Sequence, residues 1–448
     1  MKRYIILGIS LLGISGAMAQ TPLSLESSKR MAVEHNIELQ NSQLEVDAAR
    51  EVQKHAKTQY FPKADAYVMG FVGIDPLIEM DNPGGNLPVY DGNPENLATA
   101  NQFAYMPESS IGFMQKAGIG AINIAQPVYL GGRIRTGNKL AQLNVDAKQE
   151  QAQLTEKQVL IKTEQQYWQL VSLQEKQKTL AEYEGLLMAV RQQVEDARSA
   201  GLVIQNDVLK VQIKQQELAL NKHRLEQGKQ LAIRQFCQTI GLDYDSTLVL
   251  QEEISILPAP TSVRVSTEDA LTQRAEYRLL GKSVEAAKLQ TQMTKGELMP
   301  QVAVGALGYY NHTLDSDLGG VGNGMLYGTI SIPLTDWWGG SYKIKERELH
   351  ERIAENTQVD TENLLRLQIE KVWQDVEMAD RQIRLLEETL RQTEENLRVT
   401  QTSYDQGMVN LSDLLEAQAL QVETAERLIE AKTHYRLAIS EYLQVTGR

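Results

Sequence analysis

Apolar or small residues near the C-terminal end of the sequence recur at alternating spacings of four and three. From Leu365 onward they fall at Ile369, Val372, Val376, Ala379, Ile383, Leu386, Leu390, Thr393, Leu397, Thr400 and Tyr404. The pattern stops at Gly407 and resumes at Leu415, Val422 and Ile429. A heptad pattern of this length predicts a coiled coil. The short break predicts a hairpin in which the two apolar seams pack together.

An earlier stretch has the same pattern. Residues seven apart include Leu140, Ala147, Leu154, Ile161 and Trp168, and then, in a shifted phase, Leu173, Leu180, Leu187 and Val194. After Gly201 a returning run passes through Ile204, Val211, Leu218 and Leu225. The shift predicts a local unwinding of the supercoil. The helix from Gly132 to Gly201 is expected to be about 100 Å long, at 1.5 Å per residue.

The two hairpins belong to an internal duplication. Adding 206 to a residue number carries Gly201 to Gly407, and adding 238 carries Pro62 to Pro300. A fixed offset of this kind predicts tandem repeats of one architecture. The expected repeats are 20–241 and 266–448, joined by a linker at 242–265. Each has a first helix and a coiled-coil hairpin, at 24–60 and 132–240, and at 267–298 and 340–446.

Strand-like segments lie between these helices. They cover residues 63–73 and 117–128 in the first repeat, and 301–310 and 325–334 in the second. Alternation over about ten residues is typical of a transmembrane β-strand, although two ordinary hairpins would give a similar pattern. Four strands cannot close a barrel, which needs about eight. Closure therefore predicts a dimer with eight strands or a trimer with twelve, and the pattern alone does not choose between them.

The first nineteen residues resemble an export signal. Lys2 and Arg3 precede an apolar run that ends at Ala17-Met18-Ala19, so residues 1–19 are predicted to be a signal peptide. Its removal takes the net charge from −13 to −15, which makes nucleic acid an unexpected partner. The single cysteine, Cys237, is expected to be an inert packed thiol rather than a lipid anchor or half of a disulfide.

Glycine and proline mark the predicted turns. The strand-to-helix transitions are expected at Pro127, Gly131, Gly132, Pro333, Gly339 and Gly340. Gly201 and Gly407 are expected to end the long helices, while Asp207 and Asp413 help to begin the next ones. Apolar residues next to these turns, at a tip that should contact water, indicate a docking surface. They are Leu202, Val203, Met408 and Val409.

In this order, the segments "QPVYLGG", "IPLTDWWGG", "AGLVIQNDVL" and "QGMVNLSDLL" resemble those of the TolC-like outer membrane efflux proteins. The resemblance covers essentially the whole chain after the signal peptide. It implies a mainly α fold with a membrane β-barrel portion, in a homotrimer whose twelve strands form the barrel above a periplasmic α-helical barrel. It also implies an outer membrane location with contact to lipid, and passive conduction as the exit duct of an efflux pump or a type I secretion system.

The resemblance also implies roles for the hairpin tips. A periplasmic adaptor is expected to dock on the tip residues, with the inner membrane pump engaged only indirectly. The family's periplasmic gate lies at the same end of the tunnel, and the candidates near it are Glu387, Arg391, Glu394, Arg398 and Asp405. Carboxylates repeated around a pore would favour cations.

No catalytic, metal-binding or cofactor-binding pattern is found in the sequence. The six histidines show no ligand spacing, and no glycine-rich phosphate loop precedes a helix. The expected protein is therefore not an enzyme and needs no cofactor. The competing interpretation is a periplasmic coiled-coil scaffold or an adhesin stalk without a pore.

Overall fold

The structure is a computed structural model that describes residues 22–254, 257–314 and 319–448. The predicted signal peptide, 1–19, lies outside the described residues. The chain forms two compact units. One unit contains the residues up to Ala48 together with Val145–Ser283 and Glu355–Arg448, and the other contains Ala49–Asn144 and Val284–Ala354.

The fold is mainly helical, as the heptad pattern predicts. In the described part of the chain the α-helices are α1 (Leu25–His35), α2 (Ile37–Thr58), α3 (Arg133–Ser199), α4 (Gln205–Ile240), α5 (Thr267–Gln273), α6 (Ala275–Glu297), α7 (Asp336–Asp405) and α8 (Leu411–Val445). The two long helices, α3 and α7, contain 67 and 70 residues. Within the described ranges, none of the helices has both the length and the apolar character needed to cross a membrane.

Each helix predicted at the start of a repeat is in fact two helices. The expected helix 24–60 breaks at Asn36, and the expected helix 267–298 breaks at Arg274; both residues are extended. The Asn36 side chain accepts a 3.0 Å hydrogen bond from the Glu38 amide and donates a 3.0 Å bond to the Thr239 carbonyl. An asparagine that caps the next helix and also contacts α4 explains why the first break occurs there.

Three apolar clusters hold the helical unit together. The first cluster joins α1, α3 and α4 around Tyr167, Trp168 and Phe236. The second joins α5, α7 and α8 around Val376 and Tyr435. The third lies beside the hairpin turns and combines residues of α3, α4 and α8. The two predicted coiled-coil hairpins therefore pack on each other as well as internally.

The other unit contains a four-stranded antiparallel sheet in the order β1-β6-β7-β8. Its strands are β1 (Lys63–Val72), β6 (Lys116–Leu130), β7 (Gln301–Thr313) and β8 (Gly320–Ser331). Strand register places Ala64, Ile124, Ala306 and Leu326 in one row across one face. The next row on the opposite face starts with Asp65 and Asn123. One face of the sheet is therefore apolar and the other carries polar groups.

Between β1 and β6 the chain makes two short ribbons. β2 (Ile78–Asn82) pairs with β5 (Ser109–Phe113), and β3 (Gly85–Pro88) pairs with β4 (Phe103–Met106). A 3-10 helix, Pro94–Thr99, lies at the far end. The stretch between the first two predicted strands is therefore a folded arm. Its antiparallel pairing satisfies backbone groups that a structureless loop of this length would leave to water.

Candidate functional site

The two hairpin turns have the same backbone geometry. Gly201 and Gly407 adopt φ values of 75° and 71°, in the left-handed region that favours glycine. At the first turn the Leu202 amide bonds to the Ala197 carbonyl at 2.9 Å, and the Gly201 amide bonds to the Arg198 carbonyl at 2.9 Å. The second turn repeats both bonds: the Met408 amide bonds to the Ser403 carbonyl, and the Gly407 amide bonds to the Tyr404 carbonyl. This pair of bonds is the Schellman motif, which ends a helix by satisfying its last carbonyls.

The helices that follow the turns begin differently. Asn410 caps α8, because its side chain accepts hydrogen bonds from the Ser412 and Asp413 amides at 2.8 and 3.2 Å. Asp413 completes a capping box by accepting a 3.1 Å bond from the Asn410 amide. The equivalent position before α4 is Ile204, whose side chain makes no capping bond. The Asp207 carboxylate instead forms an ion pair with Lys210 at 3.2 Å.

The apolar tip residues fall into two classes. Leu202 is 78% exposed and Met408 is 66% exposed, whereas Val203 and Val409 are half-buried. Val203 packs against the third apolar cluster beside the turns. A leucine and a methionine held in water by a rigid turn are candidates for a contact surface. Ile204, 67% exposed, adds to that surface.

The two turns lie close together. Burial raises the pKa of the Tyr404 hydroxyl, and the negative charges of Asp207 and Asp405 raise it further. Tyr404 belongs to α7, while Asp207 belongs to α4 of the other hairpin. Tyr404 and Val203 both pack on the third cluster. The exposed residues of both tips therefore belong to one end of the helical unit.

The five gate candidates lie on the surface of α7, and within the described residues no hydrogen bond or ion pair joins one of them to another. Arg391 pairs with Glu388 at 2.6 Å and Arg398 pairs with Glu395 at 2.7 Å, each three residues away. These partners lower the pKa of the Glu388 and Glu395 carboxyls. Glu387 reaches Lys432 of α8 at 3.6 Å, Asp405 accepts a 3.0 Å bond from Gln401, and Glu394 is exposed.

Pro127 does not lie where the strand becomes a helix. It lies inside β6, at a shift in register against β7 between Pro127 and Tyr129. A proline, which has no amide hydrogen, fits a bulge where one residue is unpaired. The transition itself is made by Gly131 and Gly132, with φ values of 64° and 78°. A Cβ on Gly131 would lie 2.1 Å from the Gly296 carbonyl oxygen, so only glycine fits there.

In the second half, Pro333 lies between β8 and α7, as expected, but the following glycines do not redirect the chain. Gly339 and Gly340 are helical residues of α7. A Cβ on Gly340 would lie 2.5 Å from the Leu298 side chain, so this glycine allows close packing instead. The adjacent Trp337 donates a 2.8 Å hydrogen bond to the Leu298 carbonyl.

A polar network among the helices is not visible in the sequence pattern. The Glu164 carboxylate of α3 pairs with Lys29 of α1 at 2.7 Å and accepts a 2.5 Å hydrogen bond from Ser440 of α8. Trp168 donates a third bond to it at 3.4 Å. This carboxylate therefore connects three helices. Heptad analysis misses it because Glu164 is one of many glutamates and its partners are distant in sequence.

The described residues include no group of three or more histidine, cysteine, aspartate or glutamate side chains that could hold a metal ion. Cys237 is buried in the first apolar cluster. Burial raises the pKa of its thiol, which disfavours the reactive thiolate.

The second half of the chain matches a known family. Residues 267–448 match the family described as "Outer membrane efflux protein". The match confirms the predicted resemblance to TolC-like outer membrane efflux proteins and agrees with the predicted outer membrane location. Among curated protein sequences, none matches the chain.

Solved outer membrane channels share the fold of residues 267–448 and of the residues before them. CmeC of Campylobacter jejuni is 14% identical, with a TM-score of 0.75 over 94% of this chain and 85% of its own. VceC of Vibrio cholerae is 15% identical, with a TM-score of 0.74 over 94% and 96%. The open-state MtrE channel of Neisseria gonorrhoeae is 13% identical, with a TM-score of 0.72 over 94% and 88%. The predicted mainly helical fold with a smaller strand portion is therefore confirmed.

Proposed function

We propose that this protein is the outer membrane duct of an efflux pump or a type I secretion system, and that it conducts its substrate passively. The observation that carries the proposal is the sheet, which has one apolar face and one polar face. Val68, Leu326 and Ile330 on the apolar face are 89%, 88% and 72% exposed. An exposed apolar face of strands about ten residues long matches the lipid-facing side of a membrane barrel.

Closure of that sheet supports an oligomer. β1 and β8 are the outer strands of the sheet. Unpaired strand edges are not tolerated in lipid, so in a membrane each edge needs a partner from another copy. Three copies of a four-stranded sheet give the twelve-stranded barrel of the proposed homotrimer. The polar face, where Tyr327 donates a 2.6 Å hydrogen bond to Asn123, then lines the lumen.

The helical hairpins complete the proposed duct. In this arrangement the two repeats, 20–241 and 266–448, each contribute one coiled-coil hairpin to a periplasmic tunnel. Leu202 and Met408, supported by the half-buried Val203 and Val409, form the contact surface for a periplasmic adaptor. Gly201 and Gly407 make the turns that present them, Asp413 completes the cap after the second turn, and Asp207 is a proposed part of the same contact surface. The proposed gate consists of Glu387, Arg391, Glu394, Arg398 and Asp405. In the proposed closed gate, Arg391 and Arg398 exchange their short-range pairs with Glu388 and Glu395 for contacts with another copy.

Planar-bilayer conductance of the detergent-extracted protein tests this function, with the oligomer mass measured on the same preparation. A trimer that gives discrete conductance steps is the expected result. The Glu394→Gln variant should reduce cation selectivity if that carboxylate faces the pore. A species that stays in water without detergent and never conducts would contradict the duct and favour the scaffold interpretation.

A further inference from the structure

The arm between β1 and β6 presents an apolar face that its own chain leaves uncovered. The arm comprises residues 73–115. Where the arm leaves the sheet, the Gly73 amide donates a 2.7 Å hydrogen bond to the Gln115 carbonyl. Within it, Met80 of β2 lies directly opposite Ile111 of β5, and Ile78 shares their face because it is two residues from Met80. These three side chains are 63%, 55% and 50% exposed. A two-stranded ribbon is marginally stable unless such a face is covered.

The opposite face of the same ribbon is acidic. Glu79 and Asp81 alternate with the apolar residues, and Ser110 donates a 3.1 Å hydrogen bond to Glu79. Residues 73–115 contain no lysine or arginine, and their carboxylates are Asp75, Glu79, Asp81, Asp91, Glu95 and Glu108. Such a segment is repelled by anionic lipid headgroups. A membrane surface is therefore a poor partner for the apolar face.

The position of the arm favours a second copy of this chain as the partner. The arm continues directly from β1, which is an outer strand of the four-stranded sheet. In the proposed barrel, β1 is the strand at which the next copy joins. Each arm is thus anchored beside a boundary between copies. The shorter connection between β7 and β8 has no comparable ribbon in the residues the structure describes.

We infer that the arms of neighbouring copies pack through the face formed by Ile78, Met80 and Ile111, and that together they narrow the outward mouth of the duct. This inference rests on the proposed function. Glu79 and Asp81 of each arm then lie on the face away from the contact, and the net negative charge of the six carboxylates in each arm opposes the contact by mutual repulsion. Salt weakens that repulsion, because exposed charges farther apart than the Debye length, about 10 Å at 0.1 M ionic strength, are largely screened.

Cysteine cross-linking within the assembled protein tests the inference. Met80→Cys is made in a full-length Cys237→Ala background, and Glu79→Cys on the opposite face of the ribbon is the matched control. With a short bismaleimide, Met80→Cys should give at least about tenfold more chain-to-chain product than Glu79→Cys. The yield from Met80→Cys should also be higher at 0.5 M than at 0.05 M salt. Equal cross-linking at both positions, or none in an intact trimer, would overturn the arm contact.

Three further measurements separate the possible failures. Native mass on each preparation reports whether the oligomer forms: a monomer contradicts both the arm contact and the duct, whereas a conducting trimer without cross-links contradicts only the arm contact. The double substitution of Met80 and Ile111 by serine should increase the conductance of the trimer. Cross-linking that disappears when the protein is moved from detergent into lipid vesicles would show that the apolar face binds lipid, and would also overturn the inference.

Discussion

The ammonium group of Lys157 donates a 2.7 Å hydrogen bond to the main-chain carbonyl oxygen of Gly447. Lys157 belongs to α3 of the first hairpin, and Gly447 follows the last turn of α8 in the second. Burial lowers the pKa of Lys157, and the nearby charge of Glu276 partly opposes that change. A cation beside the carbonyl end of a helix is also stabilised by the helix dipole. This bond fixes the end of α8 to the first hairpin.

Replacing Lys157 with methionine should loosen the end of α8. The loss of one such hydrogen bond, about 1 kcal/mol, corresponds to about fivefold faster amide exchange where local opening controls it. Hydrogen exchange measured by mass spectrometry over residues 440–447 reports this directly. Lys162→Met is the control, because Lys162 is an exposed lysine of the same helix. Unchanged protection in Lys157→Met would mean that the end of α8 does not depend on this bond.

Replacing glycine with alanine should lower stability at the turns and raise it inside the helices. Gly201→Ala and Gly407→Ala place a Cβ on a left-handed residue, which costs about 1 kcal/mol each although nothing lies within 4 Å of that Cβ. Gly185→Ala, in the interior of α3, should instead stabilise by about 0.5–1 kcal/mol. Thermal unfolding of the detergent-extracted variants measures both effects. A shift of the same sign at Gly185 and Gly201 would contradict the backbone explanation.

The caps of the two return helices should respond in opposite directions. Asn410→Ala removes the side-chain acceptor of two amides and should destabilise the start of α8 by about 1 kcal/mol. Ile204→Asn supplies an acceptor that α4 lacks and should stabilise its first turn by a similar amount. Hydrogen exchange at each tip measures the two changes separately. Slower exchange at residues 205–208 in Ile204→Asn is the decisive observation.

The helices and their turns could be predicted because their signals are local. The heptad spacing specifies the apolar face of each helix, and the Gly201 and Gly407 turns depend on residues within six positions of one another. Gly340 and Pro127 could not be placed correctly, because their roles depend on Leu298 and on the register of β7, which are set by tertiary packing. The same limit hides the bond between Glu164 and Lys29. The arm was missed because its strands have only four or five residues.

Acid should selectively weaken the contact around Glu276. Burial of this carboxyl acts to raise its pKa, but the hydrogen bond from Arg274, together with the positive charges of Arg274 and Lys157, outweighs burial and lowers it below the ordinary value of 4.5. Arg274 is only 4% exposed and pairs with Glu276 at 2.8 Å. Because the folded pKa is the lower one, the stabilisation is complete above about pH 4.5 and is lost as the pH falls through the folded value.

The variant Glu276→Gln should therefore be less stable than the natural chain at pH 7 and should approach it in acid. Glu276→Ala, which leaves the buried Arg274 without its partner, should lose about 1 kcal/mol at pH 7, because the Glu276 side chain is 38% exposed and solvent screens the pair. The unfolding midpoints of all three proteins, measured from pH 7 to pH 3.5, test the sign. A difference between the natural chain and Glu276→Gln that grows on acidification would contradict the assignment.

The proposed docking surface predicts where a partner protein can be captured. A photoreactive benzophenone amino acid at position 202 or 408 should cross-link a periplasmic protein with a helical hairpin, because both side chains extend into solvent from fixed turns. Position 220 is the matched control, since Leu220 is also an exposed leucine of the hairpins but lies along α4 away from the turn. Mass spectrometry identifies the captured chain. Equal capture at 202 and 220 would mean that exposure alone, rather than the tip, determines the contact. Capture of only further copies of this chain would assign the tips to contacts within the oligomer.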